Sequence, residues 1–313
     1  MATPSRKAYQ RDGSGNRNKK KGGFGGRNAK LFVCLQLMRR HAFLYILLLS
    51  ACLLSCGTGR RKAPVTPPAE SRPAANTLTT DSFRYEAENE YGSCEACIDY
   101  PMSGPPAAVE SIRSFIRSQL FEHRTTDVPT HPDEMVHAYC QERLSHFDKV
   151  LNQMQIGRVV RDEAPEEGIE IRLQECGARW CTYEVYRYSY LTGGAHGEYT
   201  HYGVTFRLRD GRRLTEADLL LPVGDGLYAY IKRGMREYFD VDTDEQLQDI
   251  CHVDLSLRPM PSHAPFLTRQ GVRFHYSIYD VCPFEWGDPS FTIPYDEIKP
   301  YLTGTALQLI DED

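Results

Sequence analysis

From about residue 83 onward the chain switches between two hydrophobic periods, and the switches predict its elements. Ala107 to Phe121 carries Val109, Ile112, Phe115, Ile116 and Leu120 at helical spacing. Pro132-Asp133-Glu134 opens a second helix, with proline in the first turn and acids where the helix dipole favours them. It is expected to run to about Met154, with Met135, Tyr139, Leu144, Phe147, Val150 and Leu151 on its buried side. Phe83 to Glu88 and Cys97 to Tyr100 read as strands, and Pro101, Gly104, Pro105 and Pro106 are expected to break the chain after them. Beyond residue 160 strands dominate. Ile169 to Gln174 and Cys181 to Tyr190 flank a turn through Gly177. Val204, Phe206 and Leu208 alternate into an Asp210-Gly211 turn. Phe266-Leu267-Thr268 and Val272 to Ile278 form a hairpin across Arg269-Gln270-Gly271, and Phe291 to Ile293 is stopped by Pro294. Helices are expected over Leu227 to Tyr238 and from Thr243 to Ile250, where Thr243 caps and Gln246 completes a capping box. The class is α+β: an antiparallel sheet with helices packed on one face, in two α/β subdomains over 81–160 and 161–313.

The front of the chain follows other rules. His41 to Ser55 is apolar for 15 residues, short of the roughly 20 needed to cross a bilayer. It follows Met38-Arg39-Arg40 and ends in small residues and cysteine, the layout of a secretory signal. Leu49-Ser50-Ala51-Cys52 and Leu53-Leu54-Ser55-Cys56 both fit a lipobox, in which the thiol is alkylated by a diacylglycerol behind small residues. Cys56 leaves the longer apolar core and is assigned the lipid; Cys52 is the alternative, and an ordinary secretory signal with incidental cysteines is a third reading. Residues 38–56 are thus a lipoprotein signal and lipobox. Several acyl chains, palmitate among them, would give stable membrane anchoring. Residues 57–80 are rich in Gly, Pro, Ala, Ser and Thr and read as a flexible tether. Residues 1–37, with Arg6-Lys7 and Lys19-Lys20-Lys21, are a basic disordered arm, or lie upstream of a true start at Met38.

Charge divides at the same place. Residues 1–55 hold 11 Lys and Arg against one acid, Asp12, which leaves 26 basic and 41 acidic residues from 56 onward, a net −15. Nucleic acid is a poor partner for such a surface. A cationic protein, steered by charge, is a better one.

Seven cysteines follow Cys56, and an exported chain permits disulfides. Cys176 with Cys181 across a hairpin, Cys251 with Cys282, and Cys94 with Cys97 are the candidates; seven is odd, so one is left over. Cys94-Glu95-Ala96-Cys97 also invites a redox reading, but Ile98-Asp99-Tyr100-Pro101 is a poor start for the helix that would lower a thiol pKa.

The most distinctive stretch is Tyr190-Leu191-Thr192-Gly193-Gly194-Ala195-His196-Gly197, a tight glycine-rich connection between strands. His196 and His201 are five apart, so as strand residues they would face opposite sides, and no metal is expected. His196 with Glu198 is a candidate catalytic pair, but no nucleophile-elbow or zinc-protease motif accompanies it. Tyr186, Tyr188 and Tyr190 share a strand face, either as a sugar-stacking platform or packed under a helix.

This loop, with Tyr202-Gly203-Val204-Thr205-Phe206, Leu214-Thr215 before Asp218-Leu219, Gly271-Val272-Arg273-Phe274-His275-Tyr276 and Phe291-Thr292-Ile293-Pro294-Tyr295, resembles a known family. It is the extracytoplasmic domain shared by the lysozyme-sensing anti-sigma factor RsiV and the accessory region of the polysaccharide deacetylase PdaC. The resemblance covers about 181–302 well and 82–155, the PdaC-like module, less distinctly. It implies a binding domain without enzymatic activity or cofactor. Lysozyme or cell-wall glycan is the implied ligand, contacted through His196, Tyr190, Gly194, Tyr186 and Tyr188. No RsiV-like transmembrane helix or PdaC-like deacetylase domain is recognisable. The expected protein is a lipoprotein of the bacterial envelope facing the periplasm. Cys56→Ser is expected to abolish incorporation of labelled fatty acid while Cys52→Ser retains it; the reverse pattern moves the anchor to Cys52.

Overall fold

The computed structural model describes residues 77–122, 126–154 and 163–311. The signal, both lipobox cysteines and nearly all of the tether lie outside them. The described residues all fall within one compact unit. Five strands form the larger sheet in the order β1 (Thr79–Asn89), β2 (Gly92–Ser103), β3 (Glu166–Cys176), β4 (Trp180–Tyr190) and β5 (Glu198–Arg207). Neighbours run antiparallel except β2 and β3, which are parallel. A parallel pair needs a long crossover. Here α1 (Pro106–Leu120) and α2 (Pro132–Gln153) supply it. The expected α+β fold, with a largely antiparallel sheet and helices on one face, is present; the one parallel pair arises because both predicted helices fall between its two strands.

Alternation decides which face those helices cover. Ala96, Ile98, Ile169, Ile171, Tyr183, Val185 and Phe206 point to one side and meet Ile112, Phe115, Ile116, Met135, Tyr139, Leu144 and Phe147 in one core. Asp99 ends the parallel ladder: its carboxylate accepts from Leu173 N–H at 3.0 Å and from Arg172 Nη1 at 3.0 Å. Pro101 does not break β2, since it still pairs with Thr80 near the sheet edge and its carbonyl accepts two bonds from Arg113. The tether ends earlier than expected: Leu78 is already buried in this core and β1 starts at Thr79.

The second layer is a three-stranded antiparallel sheet of β6 (Phe266–Leu267), β7 (Gly271–His275) and β8 (Ser290–Pro294). Around it lie α3 (Glu216–Leu219), α4 (Asp225–Phe239), α5 (Asp244–Ile250), α6 (Tyr295–Ile298) and α7 (Gly304–Ile310). Leu227, Ile231 and Met235 of α4 pack with Val272, Phe274, Ile293 and Leu302 in a second core. Thr243 caps α5 as its sequence predicts, accepting from Gln246 N–H at 3.2 Å while Gln246 Oε1 accepts from Thr243 N–H. The division expected between residues 160 and 161 falls just before β3, inside the larger sheet; the second core instead takes its residues from Leu214 onward, joined by Trp180 of β4.

The two layers meet at β6. Thr182 Oγ1 donates to Leu267 O at 2.8 Å and Leu267 N–H donates to Thr205 Oγ1 at 3.0 Å. That leaves the Thr205 hydroxyl hydrogen for Thr182 Oγ1, 2.8 Å away, and closes a buried ring of bonds. Beside it Gly203 lets the Phe266 ring approach β5; a Cβ there would stand 2.4 Å from the ring.

The seven described cysteines are all thiols. Cys94 and Cys97 are an odd number of residues apart on β2 and so face opposite sides, which rules out a bridge between them. Cys94 instead hydrogen-bonds Cys140 of α2. Cys176 and Cys181 are cross-strand partners in contact, as the hairpin implied. Cys251 and Cys282 lie in the second core, next to the His252 N–H to Val281 O bond of 3.0 Å. Gly203→Ala should lower stability by about 1–3 kcal/mol, read by urea unfolding, because the extra methyl overpacks against Phe266.

Candidate functional site

The face of β4 and β5 turned away from α1 and α2 carries four rungs. Residues directly opposite in an antiparallel pair share a face, so Thr182/Thr205, Glu184/Gly203, Tyr186/His201 and Tyr188/Tyr199 stack in a row. The second sheet covers the first rungs. On β7, Val272 and Phe274 point into the second core, so Arg273 and His275 point back toward β5.

His201 Nε2 lies 3.3 Å from Glu184 Oε2, and Arg273 Nη1 donates to Glu184 Oε1 at 3.4 Å. The His275 ring packs against His201, with centroids 4.4 Å apart at 65°. Only 4% of His275 is exposed, and neither of its ring nitrogens has a hydrogen-bond partner among the described residues. Its Nε2 is 3.5 Å from Asp288 Oδ2, close but without hydrogen-bond geometry. Tyr199 hydrogen-bonds the same carboxylate. One ligand atom each from His201, His275 and Asp288 lies within 4.8 Å of the others. Burial, and then the charges of His201, Arg273 and His263, hold His275 down at about 3. Burial raises Asp288 above the usual carboxylate range, against the pull of His201 and the Tyr199 bond.

The outer rungs run into an aromatic ledge. Between β4 and β5 the chain turns through Gly193, at φ +82°, and Gly194 N–H donates to Leu191 O at 2.9 Å. His196 Nδ1 donates to Gly197 O at 3.0 Å, so its Nε2 accepts from the Tyr279 hydroxyl at 3.4 Å. Its ring stacks on Phe284, centroids 3.8 Å apart. Phe284 also meets Tyr199 edge-on at 6.3 Å and Tyr279 at 6.2 Å, and Tyr199 stacks on Tyr186 at 6.2 Å. Tyr279, Trp286 and Tyr238 are 54%, 44% and 41% exposed at or beside this loop.

The expected ligand-contact residues His196, Tyr186, Tyr188, Tyr190 and Gly194 lie on or beside this face, whereas Glu198 pairs with Ser189 on the other side of the sheet. Tyr188 packs over Gly197 and Tyr190 lies beside Gly194. The tyrosines do not pack under α1 or α2, which lie on the other side of the sheet. Among the described residues His196 has no carboxylate among its contacts, and it lies in the loop before β5 rather than on the strand with His201. No metal was expected from the sequence; β7 and the segment before β8 bring His275 and Asp288 to His201, a group whose geometry could hold an ion. Glu184, Tyr199, His275, Tyr279, Phe284 and Asp288 were not foreseen as site residues. Their only sequence signal is parity along each strand, which does not tell which strand of another sheet lies opposite.

Residues 218–296 match DUF3298, a protein family of unknown function. The DUF3298 match therefore spans β7 and the loop with Tyr279, Phe284 and Asp288, but not the β4–β5 half of the site. No curated protein matches the chain. The fold is similar to two crystal structures. A DUF3298 family member from Bacteroides fragilis is 21% identical, with a TM-score of 0.60 over 76% of this chain and 99% of that one. A DUF3298 family protein from Pseudomonas aeruginosa is 17% identical, with a TM-score of 0.52 over 74% and 97%. Both likenesses concern the fold.

The fold accepts His275 uncharged. The unfolded chain takes up its proton near 6.5, the folded chain only near about 3. The unfolded state therefore binds more protons in this window. Stability is expected to fall with pH from about 6.5 toward about 3, by up to about 1.4 kcal/mol per pH unit from this group. Urea unfolding across that range should show the slope, and His275→Gln should flatten it.

Proposed function

We propose that this protein is a lipid-anchored binding protein of the bacterial envelope. Its ledge is the contact surface, and a cationic wall hydrolase of the lysozyme type is the partner. The observation that carries the reading is the ledge itself. Rings from three segments stack into one partly exposed surface, and soluble proteins place such surfaces where they bind partners. Tyr279 supports it further, since a non-glycine residue at φ 68° stores backbone strain of about 1–3 kcal/mol, which clusters at functional sites. The net −15 from residue 56 onward favours a cationic partner, and so does the resemblance to RsiV.

Wall glycan is the second reading, favoured by flat tyrosine and histidine rings suited to stacking on sugars. A hydrolase has less support. His196 is engaged by a carbonyl, a phenol and a phenyl ring. The two clefts of about 400 and 520 Å³ against α2 are lined by no ledge residue.

The test is calorimetry of the purified chain with lysozyme and, separately, with muropeptides. Lysozyme binding that weakens with salt is expected. Tyr279→Ala and Phe284→Ala should each weaken it by about 30-fold, the loss of about 2 kcal/mol typical of an aromatic anchor. Muropeptide binding alone moves the assignment to glycan. Failure of both ligands to bind removes the ledge reading.

A further inference from the structure

His275 poses a physical problem. A buried polar group without a partner costs about 1–3 kcal/mol, and such groups in native proteins call for an ion or water that completes them. The imidazole is 4% exposed, both nitrogens lack hydrogen-bond partners among the described residues, and Nε2 faces the Asp288 carboxylate at 3.5 Å without bonding to it. Two ligands of a tetrahedral zinc, each about 2.0–2.1 Å from the ion, stand about 3.4 Å apart. The His275–Asp288 spacing already fits that edge. The third ligand atom, from His201, lies within 4.8 Å of both, so closing on an ion asks for side-chain shifts on the order of 1 Å.

The surroundings orient these ligands as metal sites require. His201 Nε2 lies 3.3 Å from Glu184 Oε2, a contact that holds the orientation of the ring. Tyr199 holds Asp288. Arg273, the nearest cation, is taken up by Glu184 at 3.4 Å and by Thr292 Oγ1 at 3.2 Å. Imidazoles are neutral when they ligate a metal, so Asp288, Glu184 and Arg273 would leave a net −1 around a bound cation.

The geometry points to a binding site for a zinc-class divalent transition metal, formed by His201 of β5, His275 of β7 and Asp288 of the loop before β8. Two imidazoles and one carboxylate suit such ions rather than calcium or magnesium, which take oxygen ligands. Three protein ligands leave a position open to water or a bound group. The ion would join both sheets to the loop that carries Tyr279 and Phe284. This site does not depend on what the ledge binds.

The test uses the full chain, purified without a histidine tag and stripped with chelator. Titration with Zn²⁺ should show one equivalent bound, and Co²⁺ should give ligand-field bands without thiolate charge transfer, which separates this site from the cysteines. Asp288→Asn, close to isosteric, should weaken binding by about 100-fold, and Glu184→Gln by about 10–100-fold. Circular dichroism of each variant should match the parent. A failure of His275→Ala to fold leaves the Asp288→Asn result decisive. Absence of stoichiometric binding, thiolate bands in the cobalt spectrum, or unchanged affinity in Asp288→Asn overturns the assignment.

Discussion

Strands β4 and β5 have two faces to bury. Their odd-numbered β4 positions, Cys181, Tyr183 and Val185, serve the helices of the first core. The even-numbered positions from Thr182 to Tyr186 face the second sheet and its loop. A strand buried on both sides usually reads as a continuous apolar run. Here the second side is polar, so each rung needs a bonding partner from β6, β7 or the loop. The ring of Thr182, Thr205 and Leu267 meets that need at the innermost rung, with the close approach of Phe266 over Gly203 beside it. The junction between the layers is therefore specified by hydrogen bonds as well as by apolar area, which fixes the register of β6 and β7 against β5.

That register places the chemistry. Once Leu267 is pinned to Thr205, the hairpin sets Arg273 and His275 against Glu184 and His201. Glu184 finds two partners, Arg273 and His201, while His275 finds none that bonds it among the described residues. The loop from Tyr276 to Pro289 closes at its base through Tyr276 N–H to Pro289 O at 2.8 Å, with Val281 and Cys282 buried as a plug. Its tip is held by Ser277 and Asp280, whose carboxylate accepts from Ser277 N–H at 2.8 Å. The ledge thus has a buried anchor and exposed rings, the combination a contact surface needs: shape held from below, apolar area offered above.

Much of the architecture was legible in the chain because it is local. Helix periodicity at Ile112 to Leu120, the acids behind Pro132, the Thr243–Gln246 box and the Asp210-Gly211 turn each depend on residues a few positions apart, and each stands where its pattern put it. The shared face of Tyr186, Tyr188 and Tyr190 follows from a period of two and holds as well. Local patterns misled where a neighbour overrode them: Pro101 stays in β2 at the sheet edge, and the two cysteines of Cys94-Glu95-Ala96-Cys97 are separated by the pleat of the strand.

The sequence by itself determined the elements, the faces they present and the acidic balance that narrows the partners. Only the tertiary structure decided that β2 and β3 run parallel, that Cys94 meets Cys140, and that His201, His275 and Asp288 converge. The reason is that periodicity fixes which side of a strand a residue takes, whereas the identity of the segment opposite is set by packing between segments about 45 to 90 residues apart, which no local pattern encodes.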